Sequence, residues 1–293
     1  MLSKVMPELP EVETTVTGAK SKILGLFFID VKTNAKKLFR NVSFSNFSKT
    51  VVGKKIKNVR RRGKNIIIDI NDNYSVLIHL KMTGHLLYGH WQKKGLGWTS
   101  KDRGALSDDK FNGHIRIVFH LSNGFDLALS DLRKFAKVEL HKTKVLGSLL
   151  DSVLGPEPLD LSQREFNRII KSRSGRIKQV LLDQANLVGV GNIYADESLY
   201  FAGIHPERKA ASLNDGELKK LFSGLKTVFR KSIKLKGTSS SDYRDVLGQK
   251  GEFQNHLRAY KQNGQKCKRC KAIMVKIKVA GRGTHYCPNC QKL

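Results

Sequence analysis

For its first 266 residues the chain contains no cysteine. Disulfide staples are therefore excluded from most of the molecule. Its stability has to come from buried apolar area, for which 40% hydrophobic content over 293 residues is sufficient. Acidic residues are scarce as well: 25 Asp and Glu stand against 54 Lys and Arg, a formal net charge of +29. A surface so one-sided repels itself unless a polyanion is its partner, and nucleic acid is the leading candidate. No run approaches the ~20 apolar residues of a spanning helix, and the opening MLSKVMPELP lacks the apolar centre of a secretion signal. The expectation is a soluble cytoplasmic protein with no membrane association. No internal repeat is visible.

The cysteines that do occur, Cys267, Cys270, Cys287 and Cys290, all lie in the tail. They form C-x2-C, sixteen intervening residues and C-x2-C, a spacing that puts two thiolate pairs on two knuckles of a β-hairpin and fits one tetrahedral zinc ion. Two disulfides would use the same four residues, but an intracellular compartment would reduce them. Four thiolates leave no open coordination position, so the expected zinc is structural. Between Lys266 and Leu293 there are eight Lys or Arg and no acid, which makes the hairpin a polyanion-binding surface too.

Elsewhere the periodicity changes twice. Residues 10–24 read as a helix with Pro10 at its start, Val12, Val16, Ala19 and Ile23 on one face and Gly25 as its stop. Short runs such as FFIDVKT, IIIDI, YSVLIHL, HIRIVFHL and FDLALS follow, with no helix alternating between them, and predict an antiparallel sandwich. Residues 89–113, polar and rich in glycine, read as a mobile loop between strands. After LGPEPL the pattern turns helical. Ser162 and Glu165 form a capping-box pair, and Leu218, Leu221, Phe222, Leu225, Val228, Phe229 and Ile233 recur at helical spacing. The turn at Gly189 and Gly191 ahead of Asn192 can either present N–H groups to a phosphate or simply separate two helices. From Lys54 to Lys64, seven of eleven residues are positive and none is acidic, as expected of a phosphate-tracking strand and turn.

PELPEVE after a methionine, RRRGKNIIIDI, HLKMTG, DLRKF, LGPEPL, LLDQ, GVGNIYADESL, AGIHP and GRGTHYCPNCQ occur in this order from Met6 to Lys292. Together they resemble formamidopyrimidine-DNA glycosylase, a bifunctional family that removes oxidised purines such as 8-oxoguanine and then cuts the abasic strand by β,δ-elimination. The resemblance implies an α+β multidomain fold: an N-terminal β-sandwich with flanking helices, a helical helix-two-turn-helix domain and a C-terminal β-hairpin zinc finger. Its domains would be a catalytic sandwich over 7–145, a linker over 146–160, the helical domain over 161–259 and the zinc finger over 260–293. It also implies a bacterial monomer whose partner is double-stranded DNA carrying oxidised bases or abasic sites.

By the same resemblance Pro7 is the nucleophile, Glu8 the acid that protonates the sugar ring oxygen, and Lys64 and Arg282 assist the eliminations. The matching DNA-contact positions are His114, Arg133, Arg173, Lys178 and Asn192. Met82, Arg133 and Phe135 would fill the space a flipped base vacates, and residues 237–254 resemble a flexible loop over that base. The family often carries YGR before its first cysteine pair, where this chain reads AYKQNGQKC. A sister group removing oxidised pyrimidines usually opens PEGPE rather than PELPE. Residues 1–6 are expected to be absent from the mature protein, because the nitrogen of an internal Pro7 is a tertiary amide that cannot attack.

Overall fold

The computed structural model describes residues 6–240 and 242–293. They form two compact units, one made of residues up to 152 together with 235–252, the other of 153–234 with 253–293.

The first unit starts with α1 (Leu9–Ile23), where Pro10 sits in the first turn and sacrifices no hydrogen bond. Val12, Val16, Ala19 and Ile23 are all buried, as their spacing predicts. There follow β1 (Phe28–Thr33), α2 (Phe44–Val51), β2 (Ile56–Arg62), β3 (Asn65–Ile70), β4 (Tyr74–His79), β5 (Gly84–Gly89), β6 (Trp91–Lys94), β7 (Gly97–Ser100), the single turn α3 (Ala105–Asp108), β8 (Ile115–Leu121), β9 (Asp126–Asp131), β10 (Lys137–Lys142) and α4 (Thr143–Val153). Two four-stranded sheets, in the orders β1-β8-β9-β5 and β10-β4-β3-β2, pair antiparallel throughout. Inward-facing residues of both, among them Ile66, Ile68, Val76, Ile78, Phe119 and Leu129, join the apolar face of α1 in one core. The expected sandwich is present.

Residues 89–113 depart from the mobile loop expected of them. They fold into the β6–β7 hairpin and α3, and Trp91, Trp98 and Leu106 pack over Leu87, Ile115, Val118 and Ala128 on the outer face of the β1-β8-β9-β5 sheet. The polar composition hid an apolar set too sparse to give a period. The segment 235–252, which the sequence reading places in the helical domain, belongs to the first unit. Val246 enters the sandwich core, its carbonyl accepts from Tyr88 N at 2.7 Å, and residues 242–246 are buried.

In the second unit Ser162 and Glu165 close the expected capping box on α5 (Gln163–Lys171). Then come α6 (Ile177–Leu182), α7 (Asn192–Ala202), stopped by Gly203 at φ 73, and α8 (Asp215–Lys234). The chain ends in the hairpin of β11 (Val275–Val279) and β12 (Arg282–Tyr286). Glu197 of α7 accepts the N–H groups of Arg258, Ala259 and Tyr260 at 2.8–3.0 Å, fixing the segment that leads into the hairpin.

Candidate active site and DNA interface

Glu8 is the N-cap of α1 and is buried beside Pro7. Its N–H donates to Glu11 Oε2 at 2.9 Å, which fixes the backbone where the chain enters the helix. The other oxygen, Glu11 Oε1, accepts from Thr238 N at 2.7 Å, and Tyr243 Oη donates to the Glu11 carbonyl at 3.1 Å. The start of α1 is thereby tied to the 235–252 segment. Burial, and next the Glu11 charge, push the Tyr243 phenol up, so it remains a donor.

Lys64 is buried in the two-residue turn between β2 and β3, where Gly63 takes φ 58. Asn65, the next residue, pairs across the sheet with His79. Burial first, then the charges of Lys81, Lys64 and Lys137, hold His79 down at about 3, so the ring is neutral. Its Nδ1 accepts from Lys81 N at 3.0 Å, which leaves the proton on Nε2. In the sequence nothing marks His79, since a single histidine before LKMTG carries no signal in spacing or charge.

Met82, Arg133 and Phe135 come together as expected. The Arg133 guanidinium lies 3.2 Å from Met82 Sδ and 4.3 Å from the centre of the Phe135 ring, which is 45% exposed. Asp131, fully buried, organises the loops that carry them. One carboxylate oxygen accepts from Thr83 Oγ1 and from Arg133 N at 3.2 Å, and the other from Ala136 N at 2.8 Å. Lys81, which precedes Met82, and Lys134, which lies between Arg133 and Phe135, have φ near 55° (55 and 56), a strained conformation that the Asp131 network holds in place. His114 joins the group through its carbonyl, which accepts from Asp131 N at 2.9 Å. Burial and the Arg116 charge lower its pKa against the opposing pull of Asp242 and Asp131, favouring a neutral ring.

In the second unit Asn192 opens α7 and donates through Nδ2 to Gly283 O at 2.9 Å, beside Arg282, which is exposed. Lys178 meets the same strand by another route. Its Nζ donates to Asp196 Oδ1 at 2.6 Å and to Thr284 Oγ1 at 2.8 Å, with no side-chain surface left in solvent. Asp196 Oδ2 in turn accepts from His285 N at 2.9 Å. The reading of Lys178 as a phosphate contact therefore changes, because its charge is spent on docking β12. Arg173 lies apart from this group, exposed and bonded through Nε to Asn186 Oδ1 at 2.7 Å. Lys178→Met should strand the Asp196 carboxylate in the interior and cost about 3–5 kcal/mol, read as a lower unfolding midpoint in urea. Arg282→Ala should change the stability by less than about 0.5 kcal/mol.

The sulfurs of Cys267, Cys270, Cys287 and Cys290 all lie within 4.8 Å of one another, with Cys270 to Cys287 at 3.4 Å and Cys267 to Cys290 at 3.9 Å. Zinc–sulfur bonds of ~2.3 Å span tetrahedral edges of about 3.8 Å, so the four residues fit one ion.

A β-sandwich opening on a proline and a buried glutamate, a helix-turn-helix pair and a four-cysteine basic hairpin define a DNA-processing enzyme with a structural zinc site. Family models agree along the chain: the formamidopyrimidine-DNA glycosylase N-terminal domain matches residues 6–138, the H2TH domain of the same family 154–244, and the zinc finger found in FPG and IleRS 264–293. The formamidopyrimidine-DNA glycosylases of Pelotomaculum thermopropionicum and Herpetosiphon aurantiacus are each 38% identical to it, over 98% of this chain and 100% of theirs. Lactococcus lactis Fpg in complex with DNA containing an abasic site superposes with a TM-score of 0.84 at 34% identity. The wild-type form of the same enzyme with DNA containing a benzylated Fapy-dG gives 0.85 at 34% identity, and both superpositions cover 98% of this chain and 100% of theirs. The chain belongs to the formamidopyrimidine-DNA glycosylase family, whose members are glycosylases and abasic-site lyases.

Proposed function

We propose that this chain excises oxidised purines, 8-oxoguanine and formamidopyrimidines, through a covalent intermediate on Pro7 and then cuts the abasic strand. The observation that carries the reading is the start of α1, where Glu8 is buried next to Pro7 at the positive end of a helix. A free α-amine titrates near ~7.7–8.0 against ~10.4 for lysine, so an N-terminal proline has far more of its amine unprotonated at neutral pH and able to attack. Its nitrogen bonds to C1′ as the glycosidic bond breaks, and the base leaves with the bonding pair and takes up the proton that the amine nitrogen gives up. Glu8 gives its proton to the ring oxygen, which opens the sugar and yields a cationic iminium. That cation withdraws electrons, so the C2′ proton is lost and the C3′–O bond breaks, followed by the C5′–O bond.

Lys64 assists the first elimination as a cation beside the backbone. Arg282, which cannot give up its proton near neutrality, serves by holding phosphate. Met82, Arg133 and Phe135 occupy the gap in the duplex, the cation bonding the orphaned cytosine. His114, Arg173 and Asn192 pin the strand through its phosphates. Bound zinc supplies no chemistry of its own here and fixes the hairpin that bears Arg282. Every group invoked lies on one polypeptide, which supports a monomer acting on DNA in a bacterial cytoplasm. No helix among the described residues is long and apolar enough to cross a membrane.

Glu8→Gln tests the assignment. It should bind lesion DNA with unchanged affinity and cut a preformed abasic site, yet lose base removal by roughly 100-fold or more, within the range of general acid catalysis. Equal loss of affinity and of both reactions would contradict it.

A further inference from the structure

Arg244 is 2% exposed, an unusual place for a guanidinium, and the residue that accounts for it is Asp109, just beyond α3. Arg244 Nε donates to Asp109 Oδ2 at 2.6 Å, Nη1 donates to Tyr243 O at 2.7 Å, and the guanidinium lies 5.0 Å from the centre of the Phe111 ring. Asp109 also accepts from Phe111 N at 3.0 Å through its other oxygen. Burial would raise the Asp109 carboxyl, but the Arg244 hydrogen bond and the Phe111 N–H more than offset it and hold it below the usual range. A second tie runs parallel. Asn112, fully buried, donates from Nδ2 to Gly248 O at 3.2 Å and to Ala105 O at 2.7 Å, while its Oδ1 meets His85 Nε2 at 3.1 Å. Gly248 has φ 77, and a Cβ there would come within 2.6 Å of Asn112 Nδ2, so the approach is tight on both sides.

These ties end where the proposed chemistry begins. Arg244 holds the carbonyl of Tyr243, Tyr243 bonds the Glu11 carbonyl, and the Glu11 carboxylate bonds Thr238 N and Glu8 N. All of these residues lie in the first unit. We propose that Asp109 and Arg244 are positioning residues for base removal: the arm of residues 104–112 braces Tyr243 and Thr238 against Glu11, which holds Glu8 in the geometry the acid needs. The inference rests on the reading of Pro7 and Glu8 given above. The opening of an abasic sugar needs no proton delivered to a ring oxygen during base departure, so the two reactions should respond differently.

The test compares single-turnover removal of 8-oxoguanine with cleavage at a preformed abasic site, using protein that begins at Pro7 and its Asp109→Asn and Arg244→Lys variants. Base removal should slow by roughly 10- to 100-fold, the scale of a misplaced catalytic group, with KM for the lesion duplex little changed. Abasic cleavage should stay near the wild-type rate, and hydrogen exchange at Thr238 N should quicken. Wild-type rates in both variants, or an equal fall in both reactions, would overturn the proposal, as would unchanged exchange at Thr238. Wild-type protein inert on both substrates would overturn the reaction assignment and the proposal with it, whereas an active wild type with unaffected variants overturns the brace alone.

Discussion

Protein beginning at Pro7 should become cross-linked to 8-oxoguanine DNA in the presence of borohydride, and protein that keeps residues 1–6 should not. The difference is one of bonding. An amine has a lone pair, whereas the nitrogen of an internal proline shares its pair with the preceding carbonyl and can form neither the bond to C1′ nor the iminium that borohydride reduces. Lysines cannot substitute efficiently, since at neutral pH less than about one in a thousand carries a free pair. The family match begins at Met6, directly ahead of Pro7. Residues 1–5 lie outside the described residues. Trapping of both forms with equal yield would remove Pro7 from the mechanism, and the cross-linked peptide, sequenced, would name the amine that replaced it.

Loss of zinc should be nearly as severe. The hairpin's own apolar core is small, with Cys267, Met274 and Cys287 buried alongside Tyr200 and Ala259. A metal bound by four thiolates contributes about 10–16 kcal/mol to a fold of this kind, far more than those side chains supply. Cys287→Ser, or treatment with a strong chelator, should release residues 264–293 and with them the Thr284 and His285 partners of Lys178 and Asp196. Strand cleavage at a lesion should then fall by more than about 100-fold, since Arg282 and the docked strand go together. Calorimetry should show the transition of the sandwich unmoved while that of the second unit drops. Fully active protein containing no zinc would rule this account out.

Periodicity is a sufficient guide wherever one face of an element meets a core. The burial of Val12, Val16, Ala19 and Ile23 on α1 can be read directly, because one buried face imposes a 3.6 repeat, and β1, β3, β4, β8 and β9 can be read from their runs of β-branched and aromatic residues. The zinc ligands are equally legible, since local spacing alone brings them together. What eludes the sequence is long-range pairing of charge. Lys178 reads as one more cation in a basic chain, and only the fold reveals Asp196 beside it. Asp131 stands in DLRKF as the neighbour of Arg133 and Phe135, yet its carboxylate holds both loops of the wedge. Arg244 and Asp109 are 135 positions apart and carry no motif. Residues 237–254 read as flexible only by their resemblance to a family loop, while the buried stretch from Asp242 to Val246 is too short to show a pattern.

The first unit is discontinuous in sequence, and this bears on how the protein is made. Its sandwich is spelled out by residue 152, but the strip containing Tyr243, Arg244 and Val246 leaves the ribosome only after all of α8 has been synthesised. At ~5–20 residues per second the nascent sandwich waits several seconds with the Val246 position in its core unfilled. During that interval apolar surface around Gly18, which Val246 otherwise covers, is exposed to chaperones and to other nascent chains. A message stalled between codons 152 and 252 would release a sandwich that lacks its last strip, so ribosome pausing in that stretch is where this protein is most exposed to misfolding.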